Sequence, residues 1–540
     1  MKPYDSRVDT GSDTFAANRA AMLALVDRMR RLEARAAQAS EKRRPVFDRR
    51  GQLSPRERLG ALLDPGMPFL ELYNMAGYLV DDPDPETSLP GASMIAGIGF
   101  VGGARCMVLV DDSGINAGAS TIKSVDKALG VLDIALRQKL PFIHLVESAG
   151  ADLMSYRAEL WAHGGGMFAG LARLSAAGLP VITVLHGAST AGGAYQPGLS
   201  DVVIGVRGNG MAMLAGAALL RAATGEEASD NDLGGAEMHA RLTGLVEYLA
   251  EDDAHAIAIA REVVEGLDWN RHARHVTAAP ADPVPFDADE IPGVVPVDYR
   301  IPYDAHELVA RIVDGGALRD FKPDFGPATL CLEGRIMGHA VGILANNGPI
   351  DPDGAAKATH FLQVCDQTDR AVIFLNNTTG YMVGVAHEQA GMIKHGAKMI
   401  QAVTNLRVPK ISLYVGASFG AGNYGMCGHA FRPDFLFTWP NAKTGVMGGA
   451  QAAQTMEQVM RKAAARRGRA VDEARLAAQA SRITEHFDRE SDAFVTSGRC
   501  LDHGMIDPRD TRRVIGFCLE TCREGRARRL RPGIYGVARP

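Results

Sequence analysis

Leu179-Pro180-Val181-Ile182-Thr183-Val184-Leu185-His186-Gly187-Ala188-Ser189-Thr190-Ala191-Gly192-Gly193-Ala194-Tyr195 and Val408-Pro409-Lys410-Ile411-Ser412-Leu413-Tyr414-Val415-Gly416-Ala417-Ser418-Phe419-Gly420-Ala421-Gly422-Asn423-Tyr424 follow one pattern at a constant offset of 229 residues. Each runs from Pro through a β-branched stretch into Gly-Ala-Ser, then through a cluster of small residues to Tyr. Downstream, Gly210 to Gly216 resembles Lys443 to Gly449 with four residues of slippage. A repeat of that length is a duplication of whole domains, not the short period of a solenoid.

The flanks agree. Strand-like runs at Cys106 to Val110, Phe142 to Val146 and Val181 to His186 alternate with helical patterns near 121–138 and 165–177. After a Pro-rich interruption from Ala278 to Phe286, the order returns. Strands at Gly342 to Ala345, Ala371 to Leu375 and Lys410 to Val415 alternate with helices near 354–366 and 390–406. Alternation of this kind reads as β-α-β units in an α/β layer fold. Residues 1–65 read as a helical collar, with Ser54-Pro55-Arg56-Glu57 as a helix start.

Composition narrows the function. A hydrophobic fraction of 46% with 22% charged residues argues against wholesale disorder. A net charge of -5 provides no basic field for nucleic acid. The seven cysteines form no C-x-x-C or paired spacing, so neither a disulfide framework nor a metal site is expected. No apolar run reaches the eighteen or so residues of a membrane span, and the acidic first residues fit no leader peptide, so a cytoplasmic location is expected.

A strand that ends in residues with almost no side chains lets successive peptide N–H groups approach a ligand oxygen, and a helix starting there adds its positive dipole end. Donors fixed on a developing negative oxygen form an oxyanion hole. At one such turn taken alone, close packing of helix on strand is the better explanation of the small residues. The same cluster at the same place in both halves favours two anion sites. There is no G-x-x-x-x-G-K-[ST] loop and no H-E-x-x-H, and the fifteen His are scattered. Two oxyanion holes without a protein base suggest enolate-like partners, one of which brings its own base.

Taken together, Thr190-Ala191-Gly192-Gly193-Ala194-Tyr195, Asp232-Leu233-Gly234-Gly235, Thr379-Gly380-Tyr381-Met382-Val383-Gly384, Gly420-Ala421-Gly422-Asn423-Tyr424-Gly425-Met426-Cys427-Gly428 and Trp439-Pro440-Asn441 resemble the carboxyltransferase (β) subunits of biotin-dependent acyl-CoA carboxylases. The last two runs resemble the methylcrotonyl-CoA and geranyl-CoA branch. That resemblance implies tandem crotonase-like domains: an N domain at 66–277 on the acyl-CoA side, a linker at 278–300, a C domain at 301–520 on the biotin side, and a basic tail at 521–540. It also implies a carboxybiotin carried by a biotinylated α subunit with biotin carboxylase activity, and a homo-hexameric core. No metal, nucleic-acid or membrane partner is expected.

In the implied mechanism the N–H groups of Ala421 and Gly422 hold the biotin ureido oxygen, and those of Gly192 and Gly193 hold the thioester oxygen. The biotin nitrogen, freed of CO2, takes a γ-proton from the enoyl-CoA. Phe419, Gly420, Gly380, Tyr381, Met382 and Val383 are implied on the biotin side; Ser148, Ala149, Gly150, His163, Gly164 and Gly165 on the acyl side. Where methylcrotonyl-type sequences show His-Phe-Gly, this chain reads His163-Gly164-Gly165, closer to the geranyl type. Loss of that aromatic would lengthen the acyl pocket, unless Gly164 merely suits a helix entry. Asn116-Ala117-Gly118, Ser148-Ala149-Gly150-Ala151 and Gly216-Ala217-Ala218 depart from the family pattern. They leave 3-methylcrotonyl-CoA or another acyl-CoA open as acceptor. A biotin-dependent enoyl-CoA decarboxylase subunit and a non-catalytic scaffold are the alternative functions.

Overall fold

The repeated sequence folds into a repeated sheet. The computed structural model describes residues 1–154, 156–272, 279–467 and 471–533. An N unit comprises Arg30–Val276, Gly498–Cys500 and Glu520–Pro540; a C unit comprises Met1–Met29, Thr277–Ser497 and Leu501–Leu519. The first strand, β1 (Lys2–Pro3), lies in the C unit.

The N unit holds β2 (Leu70–Leu72), β3 (Met94–Val101), β4 (Ala104–Asp111), β5 (Phe142–Ser148), β6 (Val181–Thr190), β7 (Val202–Val206), β8 (Met211–Met213) and β9 (Tyr248–Ala250). Their order is β2-β3-β4-β5-β6-β7-β9, with β8 pairing the far end of β6. The C unit repeats it with β10 (Ala317–Asp320), β11 (Thr329–Ile336), β12 (His339–Asn346), β13 (Ala371–Thr378), β14 (Lys410–Phe419), β15 (Phe435–Thr438) and β16 (Lys443–Gly445). There the order is β1-β10-β11-β12-β13-β14-β15, with β16 on β14. In each unit an eight-residue antiparallel hairpin, β3–β4 or β11–β12, leads into parallel strands. Both hairpins turn through two residues of positive φ, Gly102-Gly103 and Met337-Gly338. Such turns match the strand twist. A carboxylate accepts both turn N–H groups each time, Asp64 in one unit and Asp314 in the other.

Parallel strands covered by helices are apolar on both faces, and β4 and β5 are buried throughout. The core of the N unit gathers Val108, Val110, Ile143, Leu145, Ile182 and Val184; that of the C unit gathers Leu344, Phe361, Val372, Phe374 and Met399. The expected helices are present as Ile122–Gln138, Ala158–Ala176, Pro352–Gln367 and Met392–Asn405. Helix Pro55–Leu62 starts on a capping box between Ser54 and Glu57. Among the described residues no helix is long and apolar enough to cross a membrane.

The Gly-Ala-Ser signature is a bulge. Val146 pairs with Leu185, but Ser148 pairs with Ser189; Asn376 pairs with Tyr414, but Thr378 pairs with Ser418. The extra residues swing the strand end onto a second partner, where Ala188 meets Met211 and Ala417 meets Lys443. This register makes Met211 equivalent to Lys443, a slippage of three residues where the sequence comparison gave four. Glycine is required at the bulge because a Cβ at Gly187 would lie 2.5 Å from the Glu147 side chain, and one at Gly416 would lie 2.3 Å from Asn377 Oδ1.

Candidate active site

Each long strand ends in a residue of left-handed conformation, Ala191 at φ 54° and Gly420 at φ 56°. Helical turns follow at Ala191–Ala194 and Gly420–Gly425. Groups that open a helical turn have no acceptor within it, so the N–H of Gly192, like those of Ala421 and Gly422, starts without an intrahelical partner. Ala191 adopts a conformation that costs a residue with a Cβ about 1–2 kcal/mol, at the position where its counterpart is glycine. Strain of this kind gathers at functional turns. Sequence reasoning passed over Ala191, although its place opposite Gly420 in the repeat was the signal.

The two turns differ in tolerance. A Cβ at Gly422 would lie 2.7 Å from the Gly380 Cα, whereas one at the equivalent Gly193 would come nearest to Ser189 Oγ, at 3.1 Å. Around Gly422, Gly380 sits at φ 124°, its N–H donates to Thr378 Oγ1, and its carbonyl accepts from Ile350. Met382 N–H donates to the Ile350 carbonyl, and Tyr381 Oη donates to the Gly396 carbonyl at 3.4 Å. Burial raises the Tyr381 pKa, so its phenol stays protonated. Val383 is exposed. The Phe419 ring, by contrast, is 2% exposed and packs edge-on against Tyr299 at 5.3 Å, so its contribution to the turn is backbone and support.

On the acyl side, Ser148 Oγ donates to the Gly118 carbonyl, Ala149 N–H to the Ala117 carbonyl and Ser120 N–H to the Gly150 carbonyl. Asn116, Ala117 and Gly118 all carry positive φ, so Ala117 stands in a conformation that glycine would take freely. His163, Gly164 and Gly165 lie inside helix Ala158–Ala176, not at its entry. His163 is exposed, with Nδ1 3.7 Å from Asp126. Gly166 and Gly170 face Leu129 and Leu132 so closely that a Cβ would stand within 3.0 Å of them. Gly164 and Gly165 have open space beside them and no positive φ. Each glycine in a helix interior costs about 0.5–1 kcal/mol. Packing accounts for Gly166 and Gly170; it does not account for Gly164 and Gly165.

A cavity of about 220 Å³ opens beside Ser148 and Ala149, lined also by Ala117, Ala188, Glu147, Arg43 and Arg50. The last three were missed, because Arg43 and Arg50 come from the collar. Beneath it Arg58, 1% exposed, bridges Glu147 at 2.6 Å and Asp253 at 2.8 Å. Asp253 accepts from His186 Nδ1, and Gln52 Nε2 donates to the His186 carbonyl. Burial and the Arg58 charge lower the His186 pKa, so the ring is neutral. Burial pushes Asp253 up, but the His186 hydrogen bond and Arg58 outweigh it and the carboxyl is held low. The network fixes the β5–β6 bulge. Among the described residues no cluster of His, Cys, Asp and Glu is arranged to hold a metal.

Over residues 48–532 the chain matches the family described as carboxyl transferase domain. It is 47% identical over 477 residues to a Mycobacterium tuberculosis protein named "Probable biotin-dependent acyl-coenzyme A carboxylase beta2 subunit", covering 88% of each chain. It is 39% identical to the mitochondrial methylcrotonoyl-CoA carboxylase beta chain of Arabidopsis thaliana, covering 95% of this chain and 88% of that one. The crystal structure of the P. aeruginosa geranyl-CoA carboxylase beta subunit superposes with a TM-score of 0.93 at 46% identity, covering 99% of this chain and 100% of that one.

Proposed function

Because the chain belongs to the carboxyl transferase family, as a β-type subunit related to the geranyl-CoA and methylcrotonyl-CoA carboxylases, we propose that it moves a carboxyl group from carboxybiotin to the γ-carbon of a β-methyl-branched enoyl-CoA, with geranyl-CoA the favoured acceptor. The observation that carries the reading is the pair of equivalent turns behind Ala191 and Gly420, each presenting helix-opening N–H groups. Carboxybiotin, brought by a biotinylated α subunit, supplies the carboxyl group and afterwards the base. The narrow cradle of Gly380, Gly420 and Gly422, where a Cβ at Gly422 would collide with backbone, suits a flat ureido ring.

The chain's own work is then electrostatic. Gly192 and Gly193 hold the thioester oxygen as it gains charge, and Ala421 and Gly422 hold the ureido oxygen; removing one such donor costs about 2.7–4 kcal/mol of barrier. Arg43 and Arg50, at the mouth of the cavity beside Ser148 and Ala149, offer positive charge to the phosphates of CoA. The open space beside Gly164 supports a longer acyl tail on that side.

The test is fixation of radiolabelled bicarbonate with the partner subunit, across propionyl-, methylcrotonyl- and geranyl-CoA. Geranyl-CoA should be preferred, and Gly164→Phe should suppress it by orders of magnitude while sparing methylcrotonyl-CoA. A wild-type preference for methylcrotonyl-CoA, or loss of both substrates in the variant, would refute the acceptor assignment. Large apolar side chains stand exposed in both units, among them Met154, Trp161 and Tyr195 in the N unit and Val383, Ile393 and Val446 in the C unit. Faces of this kind mark interfaces, and they support a homo-hexameric core.

A further inference from the structure

The two turns share a backbone but not their surroundings. In the C unit Asn423 Nδ2 donates to Ser418 Oγ at 2.8 Å and to Tyr414 Oη at 3.1 Å. Ser418 Oγ donates to Asn376 Oδ1 at 2.9 Å, and Asn376 Nδ2 donates to the Met426 carbonyl at 3.1 Å. Tyr414 Oη also accepts from His429 N–H at 3.1 Å. Asn376 and Ser418 are fully buried and Tyr414 is 3% exposed. These hydrogen bonds tie Asn423 within the Gly420–Gly425 turn, and Met426 and His429 just beyond it, to two adjacent strands.

By register and offset the N unit has Val146, Leu185 and Ala194 in place of Asn376, Tyr414 and Asn423. It keeps only the serine, and the Ser189 Oγ is buried with no hydrogen-bond partner among the described residues. The same strand, bulge and turn therefore form without the network. Burying Asn376, Ser418 and Tyr414 is favourable only when their polar groups are all satisfied, and the fold does not need them.

We propose that Asn423, with Tyr414, Ser418 and Asn376, is a positioning network that holds the Ala421 and Gly422 N–H groups in fixed aim at the ligand of the C unit; this rests on the reading of that turn as the biotin-side oxyanion hole. The physical reason is preorganisation. Donors aimed before the charge develops need no reorganisation when it does, and a group swung in by a partner at every turnover makes few contacts of its own to shape the turn.

Asn423→Ala, assembled with the biotinylated partner, should lower kcat ten- to a hundredfold while the KM for acyl-CoA stays within about twofold. Amide hydrogen exchange in ligand-free protein should speed at least tenfold over residues 420–429 and stay unchanged over 191–199. Tyr414→Phe, almost isosteric, should reproduce the exchange effect in part, and it carries the test if the alanine variant is insoluble. Combining the two should cost no more than Asn423→Ala alone, as expected for one network. Gly422→Pro separates the layers of the argument: transfer surviving that change overturns the reading of the turn and the network role with it. Transfer lost in Gly422→Pro, but kcat and exchange unchanged in Asn423→Ala and Tyr414→Phe, overturns the network role alone.

Discussion

Gly422 and Gly193 are equivalent in neither packing nor proposed ligand, and single substitutions should show it. Proline at either position deletes one donor, and at 422 it also brings a Cβ within 2.7 Å of the Gly380 Cα. Gly422→Pro should abolish carboxyl transfer to or from free biotin with acyl-CoA binding within about twofold of wild type, and Gly193→Pro should weaken the acyl-CoA half-reaction. Calorimetric titration with acyl-CoA checks both, and equal loss of CoA binding in the two folded variants would exchange or void the assignment. The glycines themselves were readable from sequence because the duplication marked them twice. The conformation of Ala191 was not, since a residue with a Cβ gives no local sign of positive φ. Nor was the inward turn of Phe419, because the bulge at Gly416 and Ala417 alters which face each later side chain takes.

At the scale of elements, strand β1 is held to the C unit by more than its two ladder pairs with β10. Tyr4 stacks on His306 with ring planes 5° apart, and His306 donates from Nδ1 to Asp304 and from Nε2 to Asp320, each at 2.7 Å. Burial alone would lower the His306 pKa, but the two carboxylate hydrogen bonds outweigh it and raise it from 6.5 to about 9. A group whose folded pKa is raised contributes stability that is complete below its unfolded value and lost as pH rises through the folded one. The melting temperature of wild type should therefore exceed that of His306→Asn by a few degrees at pH 6, with the gap closing above about pH 9. A gap independent of pH would assign His306 to packing only. Periodicity marked β4, β5, β6, β12, β13 and β14 and the helices between them, but not the hairpin strands β3 and β11 or the short edge strands, whose few residues carry no period. The cavity beside Ser148 was not, because Arg43 and Arg50 reach it from a helix roughly a hundred residues earlier in the chain, and spacing in sequence carries no sign of such a meeting.

For the whole molecule, exposed Trp161 is the most direct probe of assembly, being 77% exposed two residues before His163. Trp161→Asp should leave the fold intact, since the ring is not needed in either core, and shift sedimentation from the proposed hexamer to smaller species with loss of transfer. A hexamer unchanged in mass would place the interface elsewhere. The N unit is also closed by residues distant in sequence: Arg528, 1% exposed, lies over the Trp269 ring at 4.8 Å and donates to the Lys139 carbonyl, while Lys139 Nζ donates to the Arg528 carbonyl. During synthesis at about 5–20 residues per second, the sheet of the N unit emerges long before this closing segment. A ribosome must translate roughly 250 codons after Val276 before Arg528 exists, so the nascent N unit waits tens of seconds with the seam at Trp269 open. Slow translation or early release within that interval exposes an unfinished domain to chaperones and proteases, even though every residue of its sheet has already been made.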